Sequence, residues 1–196
     1  MTPIRISAKF FVDLDPTAEI DLHPFIGLFH RFIQQGTLEG LLIDVADYAH
    51  VPNGPGVLLI GHDVDYAIDL TGGRAGILVT SKRQGDTPLA RVLEQTLRRA
   101  LIAVREVALD ESTALRFDIG AFELRFIDSL ATPNNAQGFA EVRAEIEPVL
   151  AEYFGRESFT IEPIQPDDLR RALTISVAGA RAPKALSECQ GAQAGA

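Results

Sequence analysis

Between Tyr48 and Lys82 the chain spells out an extended run, a two-glycine turn and a return run, and this stretch limits the folds open to everything around it. A loop rich in Gly and Pro (His50-Val51-Pro52-Asn53-Gly54-Pro55-Gly56) leads into an extended pattern over residues 57–69. Thr71-Gly72-Gly73 then turns the chain, and residues 75–82 come back. Two adjacent glycines accept positive φ without steric cost, which suits a two-residue hairpin turn. Centring the turn on Gly72-Gly73 pairs Ile68 with Ile77, Tyr66 with Val79 and Ala67 with Leu78. It also pairs Asp65 with Thr80 and Asp63 with Lys82, so apolar groups meet apolar ones and a lysine meets an aspartate. A slip of one residue would exchange the two faces, so this register is the one expected. Residues 57–69 read as one long strand. Leu58, Ile60, His62, Val64, Tyr66 and Ile68 share its apolar face, and the other face turns acidic at Asp63, Asp65 and Asp69.

The rest of the chain supplies strands and helices of ordinary length. Residues 3–14 alternate, with Ile4, Ile6, Ala8, Phe10 and Val12 on one face. Arg5, Ser7, Lys9 and Phe11 lie on the other, as in an antiparallel strand with one solvated side. Residues 24–35 read as a helix with Pro24 at its start, Gly36 at its C-terminal cap and Phe25, Leu28, Phe29, Phe32 and Ile33 in one stripe. Residues 41–48 form a strand. Thr87 and Pro88 open a second helix to residue 108, striped by Leu89, Val92, Leu93, Thr96, Leu97, Ala100, Leu101 and Val104. Residues 114–128 change phase at Gly120-Ala121, which calls for a β-bulge or a tight turn. Residues 136–154 form a third helix that Pro148 should kink or split. A strand at 159–163, a short helix at 166–172 and a strand at 173–177 follow. The expected fold class is α+β: a mostly antiparallel sheet of about six or seven strands with three main helices packed on one side. Residues 1–178 form a single domain, and 179–196, rich in Ala, Gly and Gln, form a disordered tail.

Composition excludes several partners. The formal net charge is −9, and the basic residues are scattered, which argues against nucleic acid and against anionic membrane surfaces. No run of apolar residues is long enough to span a bilayer, and the N-terminus lacks a signal-peptide pattern. The single cysteine, Cys189, can form no internal disulfide, so a cytoplasmic location is expected.

Motifs for chemistry are sparse. Prolines interrupt the loop at residues 50–56 where a phosphate cradle would need backbone donors, and a strand follows in place of a helix, so it reads as a rigid turn. No serine sits in a nucleophile elbow, and Cys189 stands in the tail. One constellation remains for an enzyme: His50, His62 and Asp63 as catalytic groups, with His50 and His62 as ligands of a divalent metal. Alternation counts against it, because it turns His62 away from Asp63 and Asp65. The plainer expectation is a hydrogen-bonded His62 within the apolar face and Asp63 paired with Lys82. Asp44, Asp47, Asp63, Asp65 and Asp69 lack calcium-loop spacing and read as a solvated face. No cofactor is expected. The leading functional expectation is a non-catalytic module that binds a protein partner or forms a homo-oligomer through its sheet, whose second face carries Phe11, Leu59 and Leu78. The alternative is an enzyme at the His50 loop and the His62 strand, a hydrolase or another class, with a metal-dependent hydrolase as one version.

Overall fold

The computed structural model describes residues 5–14, 20–52, 54–82, 85–113, 115–155, 158–165 and 169–179. The strands among them are β1 (Arg5–Val12), β2 (Leu42–Tyr48), β3 (Gly56–Gly61), β4 (Val64–Asp69), β5 (Gly76–Lys82), β6 (Phe117–Phe126), β7 (Phe159–Ile164) and β8 (Leu173–Gly179). The helices are α1 (His23–Gln35), α2 (Leu89–Leu109) and α3 (Ala136–Tyr153). All eight strands belong to one antiparallel sheet in the order β2-β3-β4-β5-β1-β6-β8-β7. The fold is therefore α+β, with a strand more than the pattern suggested.

The β4–β5 register is the expected one: Ile68 pairs with Ile77, Tyr66 with Val79 and Asp65 with Thr80. Its turn is a single 3-10 turn, Thr71–Gly73, in which Gly72 and Gly73 take φ of 78° and 74°.

The extra strand arises within residues 57–69, which are two strands and not one. The chain bends at His62-Asp63 and pairs Leu59 with Tyr66 and Leu58 with Ala67. A hairpin reverses the strand, so odd positions of β3 share a face with even positions of β4. Leu59 therefore lies in the core beside Tyr66, and not on the second face where continuous alternation put it. The same bend moves His62 out of the apolar face and into an exposed turn.

The core lies between the sheet and the helices. Ile6, Ala8 and Phe10 of β1, Tyr66 of β4, Val79 of β5 and Leu124 of β6 face α2, which crosses β1 and β5. Helix α1 packs on β2 and β3, and α3 on α2 and β7. Gly36 caps α1 at φ 63°, donating back to the Ile33 carbonyl. Pro88 occupies the position before α2, so Thr87 does not cap it. In β6 the phase change is absorbed inside one strand, with a register irregularity against β1 between Phe10 and Val12. The strand continues through Gly120-Ala121, which excludes the tight turn. Helix α3 runs through Pro148 unbroken, and Asn135 caps its start by accepting from the Gly138 amide. Residues 169–172 form a turn, while 166–168 and the 180–196 segment expected to be a tail lie outside the described residues.

Candidate functional site

Since all three helices pack on one side, no helix among the described residues lies on the other side of the sheet. Pairing registers place one residue of every strand in a single row across that face. Ala46 lies beside Leu58, Leu58 beside Ala67, and Ala67 beside Leu78. The row continues through Lys9, Glu123, Ser176 and Glu162. Its β2–β5 half is thus apolar, and its β1–β6–β8–β7 half polar. Leu58, Ile60 and Leu78 are half-buried there, and Tyr48 at the outer strand is exposed.

The centre of the face holds an ion pair that alternation placed in solvent. Strand β1 sits between β5 and β6, so Ser7, Lys9 and Phe11 are buried by their neighbours. Lys9 Nζ donates to Asp69 Oδ2 at 2.6 Å and to the Thr71 carbonyl at 2.8 Å. Their side chains are only 4% and 2% exposed. A Cβ at Gly76 would come 2.4 Å from the Phe10 carbonyl oxygen and 3.2 Å from Lys9 Cε, so glycine there admits both the neighbouring strand and the lysine stem. Burial pulls the Lys9 pKa below 10.5, outweighing the attraction of Asp69. The Phe11 ring carries Lys9 Nζ at 5.6 Å and the Arg74 guanidinium at 3.6 Å. A second lysine, Lys82, reaches Asp65 Oδ1 at 2.7 Å and the Gly61 carbonyl at 2.8 Å. Asp63, the partner expected for it, accepts the Lys82 backbone amide through its carbonyl.

The sheet edges are guarded. In β2 the ladder is irregular between Leu42 and Asp44, and the Asp44 carboxylate takes the Val45 amide at 2.8 Å. In β7, Pro163 has no amide to offer. Bulges, edge charges and edge prolines all discourage strand addition.

The structure does not bring His50 and His62 together. Tyr48 pairs with Gly56 at one end of β3, and His50 follows Tyr48 with its ring 6.4 Å from the tyrosine ring. At the other end, the His62 amide donates to the Leu41 carbonyl. Six residues of strand separate the two ends, about 20 Å at the usual rise. Asp63 lies near His62, with Nε2 to Oδ1 at 3.6 Å, and both side chains are about half exposed. The five aspartates are likewise dispersed: Asp65 and Asp69 are paired with lysines, and Asp44 and Asp47 lie on opposite faces of β2. Among the described residues no three His, Cys, Asp or Glu side chains converge as a metal site requires.

A cleft that the sequence did not signal lies beside the start of α1. It measures about 580 Å³ and is lined by Ile20, Leu22, Ile26 and Leu70, with Asp21, His23 and Asp47 at its polar side. Three segments far apart in sequence build it, so no local pattern could reveal it. No helix among the described residues is long and apolar enough to cross a membrane. No protein-family model matches the chain, and no curated protein matches its sequence.

Proposed function

We propose that the chain is a non-catalytic binding module whose helix-free sheet face docks a protein surface. The observation that supports it is the Ala46–Leu58–Ala67–Leu78 row, where partly buried leucines stand on a face that no helix among the described residues covers. Apolar surface framed by charged residues is the usual composition of an interface. Ion pairs on this face are satisfied within the chain, so docking leaves no charge newly unpaired at Lys9–Asp69 or Lys82–Asp65. A cytoplasmic location goes with this reading, since the single Cys189 offers no internal disulfide.

The test is a photo-crosslinking residue placed at Leu78, with a control at Arg143 on the exposed side of α3, in cells that make the protein. The reading predicts a discrete protein adduct from position 78 and none from position 143. Equal or absent adducts at both positions would refute it.

The cleft favours a second reading, a small-molecule site, because its volume lies in the range of ligand pockets, roughly 300–1,000 Å³. Among the described residues its lining carboxylates are Asp21 and Asp47, so its ligand would be an amine with an apolar part. A raised melting temperature with such amines, lost in Asp47→Ala, would support it.

A further inference from the structure

Resting on the reading of the helix-free face as a docking surface, we propose that its occupant is a second copy of this chain. The two copies pack face to face about a two-fold axis that runs along the strands, midway between β3 and β4. Rotation about that axis sets β3 over β4 of the second copy and β2 over its β5. The row reads small, large, small, large across these four strands: Ala46, Leu58, Ala67, Leu78. After rotation Leu58 stands opposite Ala67 of the second copy, and Leu78 opposite its Ala46. The reverse pairs follow by symmetry, so every leucine projects where its counterpart is short. A two-fold interface must be complementary to itself, and the small–large order of this row meets that condition.

The neighbouring rows are mixed, since Ile60 comes opposite Asp65 of the second copy, whose charge Lys82 already meets. Asp44 comes opposite the Thr80 hydroxyl of the second copy, a hydrogen-bond donor for the carboxylate. Tyr48, 40% exposed, comes opposite Gly76, where the Lys9 stem crosses the face. Packed sheets lie about 10 Å apart and about 30° askew, so the fit is closest at Leu58 and Ala67 beside the axis and looser at β2 and β5.

Charge also permits the pairing. The chain carries −9, yet on the β2–β5 half of this face Asp65 and Asp69 are each paired with a lysine. Asp44 alone is left to be met across the interface. The polar half, with Glu123 and Glu162, overhangs into solvent because the axis lies off-centre in the sheet. Four strands of about six residues project roughly 400 Å², about half of what a standard interface buries on each partner. The dimer should therefore dissociate on dilution.

Two measurements test this. Sedimentation velocity of the native chain from micromolar to millimolar concentration should show the mass rising toward twice that of the chain. Leu78→Glu should remain monomeric throughout, and Leu109→Glu, at the exposed end of α2, should dimerise as the native chain does. In a Cys189→Ser background, Leu58→Cys and Ala67→Cys chains mixed under mild oxidation should form a disulfide-linked heterodimer in preference to either homodimer. A native chain that stays monomeric at millimolar concentration would overturn the proposal, as would dimerisation of Leu78→Glu. A Leu58→Cys homodimer forming as readily as the heterodimer would overturn the axis. If the chain is monomeric while position 78 crosslinks a different protein, the dimer fails and the docking surface stands. If position 78 crosslinks nothing, both fail.

Discussion

Lys9 shows how much of a residue's setting lies outside its own segment. The alternation of β1 places Lys9 opposite Ala8 and Phe10, which was legible. That its face would be buried was not, because burial depends on β5 and β6 flanking β1, and those pairings join residues about 70 and 115 positions away. The side chain keeps its charge only through Asp69 and the Thr71 carbonyl. Removing one partner of a buried pair strands the other, so Lys9→Met should cost about 3–5 kcal/mol in denaturant unfolding. Lys9→Met with Asp69→Leu should recover part of that loss, because no buried charge is then unpaired, although the Thr71 carbonyl and hydroxyl lose their partners. The pH dependence has a definite sign. With its pKa held below 10.5 by burial, folded Lys9 releases its proton before the unfolded chain does. The unfolded state then binds more protons, so stability rises with pH through the window just below 10.5. Chemical denaturation across that window should show the native chain gaining on Lys9→Met as pH rises. Above pH 10 Tyr66 and Tyr153 act in the opposite sense, since burial keeps their phenols protonated in the fold. Comparing the native chain with Lys9→Met removes their contribution.

At the scale of elements, the β4–β5 hairpin was legible and the β3–β4 hairpin was not. Gly72-Gly73 announces its turn, whereas Gly61-His62-Asp63 between apolar runs does not distinguish a bend from a continuing strand. The missed bend moved Leu59 to the wrong face and His62 to the wrong environment, and it made His50 and His62 look closer to one site than β3 allows. The β4–β5 pairing leads to a graded set of substitutions. Tyr66 is buried and its hydroxyl donates to the Glu39 carbonyl at 2.9 Å. Tyr66→Ala should cost about 3–5 kcal/mol, and Tyr66→Phe about 1 kcal/mol for the lost hydrogen bond. Asp63→Asn, in the exposed turn, should stay within about 0.5 kcal/mol of the native chain. A Cβ on Gly61 would come 2.3 Å from the Val64 carbonyl oxygen, so Gly61→Ala should destabilise more than Asp63→Asn. Thermal and urea unfolding of the four variants checks the order.

For the whole molecule, the α+β class and the placing of helices on one side followed from periodicity: strand patterns of period two and three amphipathic helices. The strand order could not, because β1, first in sequence, is central in space. That order turns a sheet face expected to be a solvated surface into a divided one, apolar over β2–β5 and polar over the rest. It also builds the cleft at α1 from residues 20–26, 47–49 and 70–75. The central claim is that the divided face is covered when the protein works. Hydroxyl-radical footprinting reads this directly, comparing dilute purified protein with the protein in the cells that make it. Tyr48, Leu58, Ile60 and Leu78 should be labelled several-fold less in cells, while Leu109 and Leu130 on other surfaces react alike in both. Equal labelling of the sheet-face residues in the two settings would contradict the account.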